Sequence, residues 1–485
     1  MKKKNHHMWN ITRNDNRSLN SATIAFYIIH SIEKDIAYPV KHIQADIKNI
    51  LNVDNIYGTW ESNLAELPKY IATLQTLNPN TIVKWFHNPN GSSHVATFKY
   101  IFWAFGPAIN AFHLCRPVIS IHACHLRGSY KGKMLIVVTK DANNNILPVS
   151  YAIVDEETTH NWSWFLYQFR HFVAQDRQLC VISDRHQGII HAMENLKEWK
   201  EPLRYHRFCL RHIKSNLMKK YKNVRLKSFC WDIGSTTQKR KFYLDQIDKS
   251  QGCLFYDENR RWGSLTTNIS ESMNNALRGA RQLPIRACID LTFNRVVQLF
   301  RKHSDAAMNC NTPLPSCMWH LFRKRDTSAQ SHTLTESNYN EGVYRIVTKL
   351  RLNENRGNTH TINYYQHTCT CRKWQMERFP CSHALAVCRF REDNPFFIIN
   401  DVYTTVTYKQ QYNDGFSPLP HLEANWSIQA DNSKCVVGRG RRRENRFRNE
   451  MDVCHPDEPR KCELCHQPGH NRRKCSNSQS RFNVM

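Results

Sequence analysis

Four residues near the end of the chain have the types and spacing of a zinc site. They are Cys462, Cys465, His470 and Cys475, in the pattern C-x2-C-x4-H-x4-C. Zinc is bound tetrahedrally by thiolates and imidazoles, and both cysteines of a C-x2-C turn can aim their sulfurs at one ion. Such a short segment cannot build a core, so the metal would hold it together. The pattern predicts a structural zinc site; the alternative is chance clustering in a chain with 18 cysteines.

A second Cys/His pattern lies about ninety residues earlier. Cys369, Cys371, Cys381 and His383 are spaced C-x-C-x9-C-x-H. Residues i and i+2 on a strand share a face, so the first two cysteines can point at one ion. All four ligands are thiolate or imidazole and none is left for water, which is typical of a structural zinc site rather than a catalytic one. The alternative is again a chance pattern, and Cys388 is assigned to packing.

The charge of the chain indicates a polyanionic partner. The 485 residues carry 68 Lys and Arg against 41 Asp and Glu, a formal net charge of +27. Nucleic acid is the commonest partner of such a chain, although a basic surface can also be merely solvated. The arginine run from Arg439 to Arg448 could also serve as a nuclear-import signal, so we expect the nucleus. The predicted phosphate-contacting residues are Arg204, Arg207, Arg211, Lys214, Lys219, Lys220, Arg439, Arg441, Arg442, Arg443, Arg472, Arg473 and Lys474.

Neither secretion nor membrane insertion is expected. The basic N-terminus has no apolar stretch behind it, so no secretory signal is visible. The longest mostly apolar run, Tyr100 to Phe112, is shorter than the roughly 18–20 residues that span a bilayer. Cysteines in a chain without a secretory signal are better read as thiols and metal ligands than as disulfides.

The hydrophobic periodicity of the sequence predicts the helices and strands that position these residues. Residues up to about Arg116 are predicted to be helical, including the segment KYIFWAFGPAINAF. Three short β-rich runs follow, VISIHA, KMLIVVT and LPVSYAIV, then a helix in WSWFLYQFRHFVAQ and a strand LCVIS before Asp184. The aromatic stripe of that helix is predicted to be core rather than a base-stacking platform. Further helices are predicted at GIIHAMENL, from about Glu201 to Gln251, at Ile269 to Arg278 and at Ile285 to Arg301, and a linker at Asn309 to Ser331.

Several of these segments resemble one known family in the family's own order. CTCRKWQMERFPCSHALAVC is similar to a SWIM zinc finger, and RKCELCHQPGHNRRKC to the CCHC zinc knuckle that often follows it. VISIHACHLRGSYKGKMLIVVTKDANNNILPVSYAIVDEETTHNWSWFL, VISDRHQGII, RFCLRHIKSN and TTNISESMNNALRGARQLPI resemble the transposase of plant Mutator-like elements. The resemblance implies an α/β, RNase H-like core of the DDE transposase type, and the strand, strand, strand, helix, strand order agrees with it independently.

The resemblance also implies a catalytic centre, from which this chain departs. In the family, two Asp and one Glu hold two divalent ions, Mg²⁺ or Mn²⁺, for DNA cleavage and strand transfer. Asp184 matches the second acid and Glu271 the third, while His122 stands where the first Asp is expected. Magnesium takes oxygen ligands, and a neutral imidazole is a poor replacement, so two-metal catalysis is expected to be lost. Cys209 and His212 match the family's C-x2-H motif, with a metal or DNA-positioning role or a place in the packed core as alternatives.

Three functions remain open. The one we favour is a zinc-binding, nucleic-acid-binding protein derived from a Mutator-like transposase and catalytically impaired by His122. The others are an active DDE transposase and an RNA-binding zinc-knuckle protein; a homo-oligomer is possible in each. The predicted divisions are a shortened helical N-terminal region (1–116), a transposase domain with a helical insertion (117–305), a linker with strands (306–360), a SWIM finger (361–398), a linker with the arginine run (399–454) and the CCHC knuckle (455–480).

Overall fold

The computed structural model describes residues 59–89, 96–128, 130–221, 247–253, 256–348 and 357–419. The C-terminal zinc pattern, the arginine run and residues 1–58 lie outside these ranges. No helix within the described ranges is long and apolar enough to cross a membrane.

A seven-stranded mixed sheet forms the centre of the fold. Its strands, in the spatial order β1-β2-β5-β4-β3-β6-β7, are β1 (Ile82–Pro89), β2 (Ala96–Ala104), β3 (Val118–His125), β4 (Lys133–Lys140), β5 (Ile146–Val154), β6 (Leu179–Ser183) and β7 (Arg204–Phe208). Strands β3, β4 and β5 form an antiparallel meander, whereas β6 pairs parallel to β3 and β7 parallel to β6. The predicted α/β class and the strand, strand, strand, helix, strand order are both confirmed.

Helices cover both faces of the sheet. They are α1 (Trp60–Leu77), α2 (Gly106–His113), α3 (Thr159–Phe169, extended by a π-helical turn Arg170–Ala174), α4 (Gln187–Asn195), α5 (Leu210–Tyr221), α6 (Lys249–Gly252), α7 (Asn268–Ala276) and α8 (Ile285–Met308). Helices α3 and α4 pack on one face, where Trp162, Phe165 and Phe169 are fully buried as the periodicity predicted. Helices α1, α7 and α8 pack on the other face. Alternate residues of the strands β2, β4 and β5 therefore point into two separate cores.

The helical prediction up to Arg116 is wrong over Ile82–Pro89 and Ala96–Ala104, which form β1 and β2. Ile101 and Trp103 face one core, while Phe102 and Ala104 face the other. A strand buried on both faces reads as a continuous apolar run, without the polar alternation that separates strands from helices. The aromatic and β-branched residues of this segment favour the strand.

The helical prediction from Glu201 to Gln251 is wrong at its start. Residues Arg204–Phe208 form β7, and the helix α5 begins only at Leu210. The charged residues of this strand obscured its pattern, because Arg207 is buried in an ion pair with Asp257 instead of being solvated.

The Cys369–His383 region belongs to a second, smaller sheet-and-helix layer. Its four-stranded antiparallel sheet, in the order β11-β10-β9-β8, contains β8 (Thr333–Asn338), β9 (Val343–Val347), β10 (Thr359–Asn363) and β11 (Thr368–Cys369). Its helices are α9 (Ser316–Ala329), α10 (Lys373–Glu377) and α11 (Ser382–Phe390). The segment predicted as a linker, Asn309 to Ser331, thus contains α9. Met318 and Phe322 of α9 are spaced i and i+4 and are buried in the core of this layer, a short pattern that flanking Pro and Ser residues masked.

The chain after α11 returns to the large sheet. Helix α12 (Thr405–Gln411) lies within the predicted linker of residues 399–454. Tyr412 donates a hydrogen bond to the buried carboxylate of Asp141 (2.8 Å), and Phe416 packs edge-on against Phe293 and Phe300. These contacts depend on single aromatic side chains, which leave no periodic pattern in the sequence. We call residues 405–417 the return segment.

Candidate functional site

The four predicted ligands of the second Cys/His pattern converge in the structure. The ligand atoms of Cys369, Cys371, Cys381 and His383 all lie within 4.8 Å of one another. The Nδ1 atom of His383 is 3.5 Å from the sulfur of Cys369 and 3.9 Å from that of Cys381. With Zn–S near 2.3 Å and Zn–N near 2.0 Å, the edges of a tetrahedral site are about 3.5–3.8 Å long. The quartet therefore fits a zinc ion.

Short elements bring the quartet together. Cys369 ends β11, and the turn after it passes through Arg372 with a positive φ of 62°. Cys381 caps the N-terminus of α11, where its sulfur accepts the backbone N–H of Ala384 at 3.5 Å. His383 lies in the first turn of the same helix and is buried. Cys369, Cys381 and His383 thus lie on or next to regular secondary structure. Because protein residues fill all four ligand positions, the site suits a structural ion.

Two histidines that sequence reasoning missed surround this cluster. The rings of His332 and His360 lie 4.9 Å and 4.2 Å from the ring of His383. His332 also contacts the hydroxyl of Ser382 at 2.9 Å. They occur in separate strands and turns, so no spacing rule could have identified them. They flank the imidazole of His383.

The C-terminal pattern of Cys462, Cys465, His470 and Cys475 lies outside the described residues, and so do Arg472, Arg473 and Lys474. The arginine run, with Arg439, Arg441, Arg442 and Arg443, lies outside them as well. These assignments stay predictions.

His122 and Asp184 lie at neighbouring strand ends. Ser120 of β3 pairs with Ile182 of β6 in parallel register, and two more residues along each strand lead to His122 and Asp184. Because side chains alternate, these two residues lie on the face that carries Ser120. His122 and Asp184 are therefore adjacent at the ends of β3 and β6.

Glu271 reaches the same place from helix α7. The hydroxyl of Ser270 donates to that of Ser120 across 2.6 Å, which docks this helix on β3. Arg211 donates to the Glu271 carboxylate at 2.8 Å, and the Nε2 atom of His212 is 3.9 Å from its other oxygen. The structure thus brings His122, Asp184 and Glu271 together.

The electrostatics of His122 agree with this proximity. Burial lowers the pKa of His122, while the negative charges of Asp184 and Glu271 act in the opposite direction. Its Nδ1 atom is buried and has no hydrogen-bond partner within the described part of the chain. An imidazole with a lowered pKa and an unpaired nitrogen therefore lies at the position that the resemblance assigns to the first acid. The donor set, one nitrogen and two carboxylates, does not fit a pair of magnesium ions, which take oxygen ligands.

Cys209 and His212 lie beside Glu271 and share Thr267 as a partner. The sulfur of Cys209 accepts the backbone N–H of Thr267 at 3.3 Å and its hydroxyl at 3.4 Å. Burial opposes ionisation of Cys209, but hydrogen bonds from His212 and Thr267 outweigh it and lower the pKa of the thiol to about 7. The Glu271 carboxylate lies 3.9 Å from the Nε2 atom of His212. Within the described ranges, however, the Cys369 quartet is the one group of three or more ligand atoms that all lie within 4.8 Å of one another. The metal or DNA-positioning role of Cys209 and His212 stays a prediction.

Glu157 is an acid that sequence reasoning missed. Its carboxylate is 3.8 Å from the Nδ1 atom of His186, whose backbone N–H donates to Asp184 at 3.2 Å. Lys133 is also 3.8 Å from Glu157. Burial raises the pKa of Glu157. The charge of His186 lowers it, and the negative charge of Asp184 raises it further. Glu157 lies in a polar loop after β5, and nothing in the sequence indicates that this loop is close to Asp184. Which strand ends are neighbours depends on the order of the strands in the sheet.

The structure corrects part of the predicted basic surface. Arg207 is 3% exposed and its guanidinium is bound to Asp257 (2.8 Å), so it cannot contact phosphate in this fold. Arg204 donates to the backbone oxygens of Trp199 and Met193 and is also structural. Arg211 pairs with Glu271, and Lys214 is half-buried on α5. The side chains of Lys219 and Lys220 lie outside the described ones.

Two family models match parts of this architecture. That of the MULE transposase domain matches residues 118–216, which run from the start of β3 into α5. That of the SWIM zinc finger matches residues 360–392, which include all four ligands of the quartet. No curated protein matches the chain. The chain thus contains a MULE transposase domain followed by a SWIM zinc finger.

Proposed function

We propose that this chain is a nuclear zinc- and DNA-binding protein derived from a Mutator-like transposase, whose DNA-cleaving centre is impaired. The single observation that carries the proposal is His122, which lies beside Asp184 and Glu271 within a MULE transposase domain. The charge of +27 supports a nucleic-acid partner. The SWIM quartet supplies one zinc site, and the C-terminal Cys/His pattern would supply a second.

The sheet topology supports an RNase H-like core within this proposal. The antiparallel meander of β3, β4 and β5, continued by the parallel strands β6 and β7, places the ends of β3 and β6 side by side. Helix α7, which carries Glu271, is docked on β3 by the Ser270–Ser120 hydrogen bond. Such an arrangement would gather three acids from distant parts of the chain if the first position held one.

The impairment follows from charge and ligand type. Replacing a carboxylate by imidazole removes one negative charge, and Arg211 already neutralises Glu271 in part. Divalent ions of the magnesium type are held by carboxylate oxygens, so the remaining pair of acids should bind them weakly.

An active transposase is the second candidate, and the docking of α7 on β3 favours it. The Ser270–Ser120 hydrogen bond holds this helix, which carries Glu271, against the strand that carries His122. RNA binding by the C-terminal pattern is a third candidate, since zinc knuckles hold single strands.

A cleavage assay separates the first two candidates. Nicking of supercoiled plasmid and strand transfer are measured in Mg²⁺ and in Mn²⁺ for the wild type, His122→Asp and Glu271→Gln. We expect the wild type to bind DNA without cutting it and His122→Asp to gain nicking activity. Nicking by the wild type that disappears in Glu271→Gln would establish the active transposase instead. Absence of DNA binding by the zinc-loaded wild type would refute the proposal altogether.

A further inference from the structure

Cys209 occupies a junction between the two candidate acids. It lies between β7 and α5 and is fully buried, in a small apolar cluster with Cys180, Ile182 and Val118. Its backbone N–H donates to the carbonyl oxygen of Ser183 at 2.8 Å. Ser183 immediately precedes Asp184, so one side of Cys209 is tied to the strand end that carries the second acid.

The sulfur of Cys209 is tied to the helix that carries the other acid. Thr267 precedes α7, and its side chain does not cap that helix. Instead, its N–H and its hydroxyl both donate to the Cys209 sulfur. The carbonyl oxygen of Thr267 accepts the backbone N–H of Glu271 at 3.1 Å, so the position of Thr267 sets the first turn of α7.

His212 completes the connection from the first turn of α5. Its Nδ1 atom lies 3.4 Å from the Thr267 hydroxyl, and its Nε2 atom lies 3.9 Å from the Glu271 carboxylate. Thr267 is itself fully buried, so its polar groups have no access to water as an alternative partner. A buried donor that loses its acceptor is costly, which makes this arrangement specific.

We propose that Cys209 and His212 form a clasp that, through Thr267, holds Glu271 at a fixed separation from Asp184. The clasp is a positioning device, because its sulfur is engaged with Thr267 and not with either acid. Sulfur suits this role, since it is larger than a serine oxygen and lies further from its own backbone, which lets it accept both donors of Thr267. The inference rests on the proposed function only in taking Asp184 and Glu271 as paired acids.

The test compares Cys209→Ala with Cys180→Ala, a matched control at a buried cysteine of the same apolar cluster. Both changes leave a similar cavity, but only the first removes the acceptor of Thr267. Amide hydrogen exchange of residues 264–276 is measured on the full zinc-loaded chain. We expect Cys209→Ala to accelerate exchange there by about tenfold relative to Cys180→Ala. Thr267→Val keeps the backbone donor but removes the hydroxyl, so it should accelerate exchange less. This variant replaces Cys209→Ala in the test if Cys209→Ala does not fold.

A second readout separates positioning from mere stabilisation. Mn²⁺ binding is followed by electron paramagnetic resonance in chains that carry His122→Asp, with the zinc sites loaded. Adding Cys209→Ala or Thr267→Val should weaken the Mn²⁺ affinity by about tenfold, the usual scale for removing a residue that orients a ligand. Equal exchange in the two cysteine variants, or an affinity no weaker than with Cys180→Ala, would overturn the clasp. Failure of the His122→Asp chain to bind Mn²⁺ would overturn it too, since no paired acids would then exist to position. Neither readout needs DNA or cleavage, so both stand apart from the test of function.

Discussion

At the scale of single residues, helix α11 contains a ligand and a non-ligand of the same type. Cys381 caps the helix within the quartet, while Cys388 lies two turns later and donates to the carbonyl oxygen of Asp393 at 3.2 Å. Both are buried to about the same extent. The spacing C-x-C-x9-C-x-H already included Cys381 among the ligands and left Cys388 out, and the structure groups only Cys381 with the quartet.

We expect Cys381→Ala to lower the zinc content of the purified chain by one ion and Cys388→Ala to leave it unchanged, because a tetrahedral site needs all four protein ligands. Metal analysis of the two variants beside the wild type measures this. Zinc binding in comparable short modules is worth roughly 10–16 kcal/mol, so Cys381→Ala should also abolish the protection of α11 against hydrogen exchange. Equal zinc contents in both variants would show that the quartet does not hold the ion.

At the scale of elements, strand β7 depends on a buried ion network. Asp257 accepts from Arg207 at 2.8 Å and lies 3.2 Å from Arg261, and all three side chains are almost fully buried. Two buried guanidinium groups thus share one carboxylate. The network explains why a basic pentapeptide can pair in the sheet rather than remain in solvent.

Asp257→Asn should therefore destabilise the protein by about 3–5 kcal/mol, because two buried cations would be left without their counterion. Glu258→Gln is the matched control at the next residue, where the side chain is 66% exposed and lies 3.5 Å from Arg260. Exposed pairs of this kind contribute less than about 1 kcal/mol. Denaturant unfolding of the wild type and the two variants gives their free energies of unfolding. A similar small decrease of that free energy in both variants would contradict a structural role for the network.

The same elements show what the sequence could and could not predict. Strands β3 to β6 were predictable because short β-branched runs alternate with polar turns such as DANNN. Strand β2 was not, since burial on both faces erases the alternation around Phe102. Strand β7 was not, because the partner that neutralises Arg207 lies fifty residues away. The quartet was predictable from spacing alone, whereas Glu157 and the clasp through Thr267 depend on interactions that only the folded chain creates.

At the scale of the whole molecule, the positive charge is unevenly available. Arg204, Arg207 and Arg211 are engaged with protein groups, so the predicted phosphate contacts of this stretch are reduced. Under the proposed function, most phosphate contacts should then come from elsewhere, and the arginine run is the densest remaining source of charge.

Replacing Arg439, Arg441, Arg442 and Arg443 by Ala should flatten the salt dependence of binding to duplex DNA. Each phosphate that is no longer neutralised should reduce the magnitude of the log–log slope by about 0.9. The four corresponding Lys substitutions keep the charge and should leave the slope near the wild-type value. Binding isotherms at several salt concentrations give the slopes, and an unchanged slope in the Ala variant would exclude the run from the interface.

The return segment makes the SWIM finger an internal part of the chain's architecture. Gln411 accepts the backbone N–H of Ala142 and donates to the carbonyl oxygen of Leu114, and Asn78 exchanges two hydrogen bonds with Ser417. A protein cut just after the finger would lack these partners and leave Asp141 buried without the hydroxyl of Tyr412. An ancestral deletion or a laboratory truncation at that point would therefore damage the transposase domain, although residues 118–216 would all be retained. Removal of the finger alone would therefore require excision between two retained pieces of sequence, because the residues after the finger are needed by the large sheet.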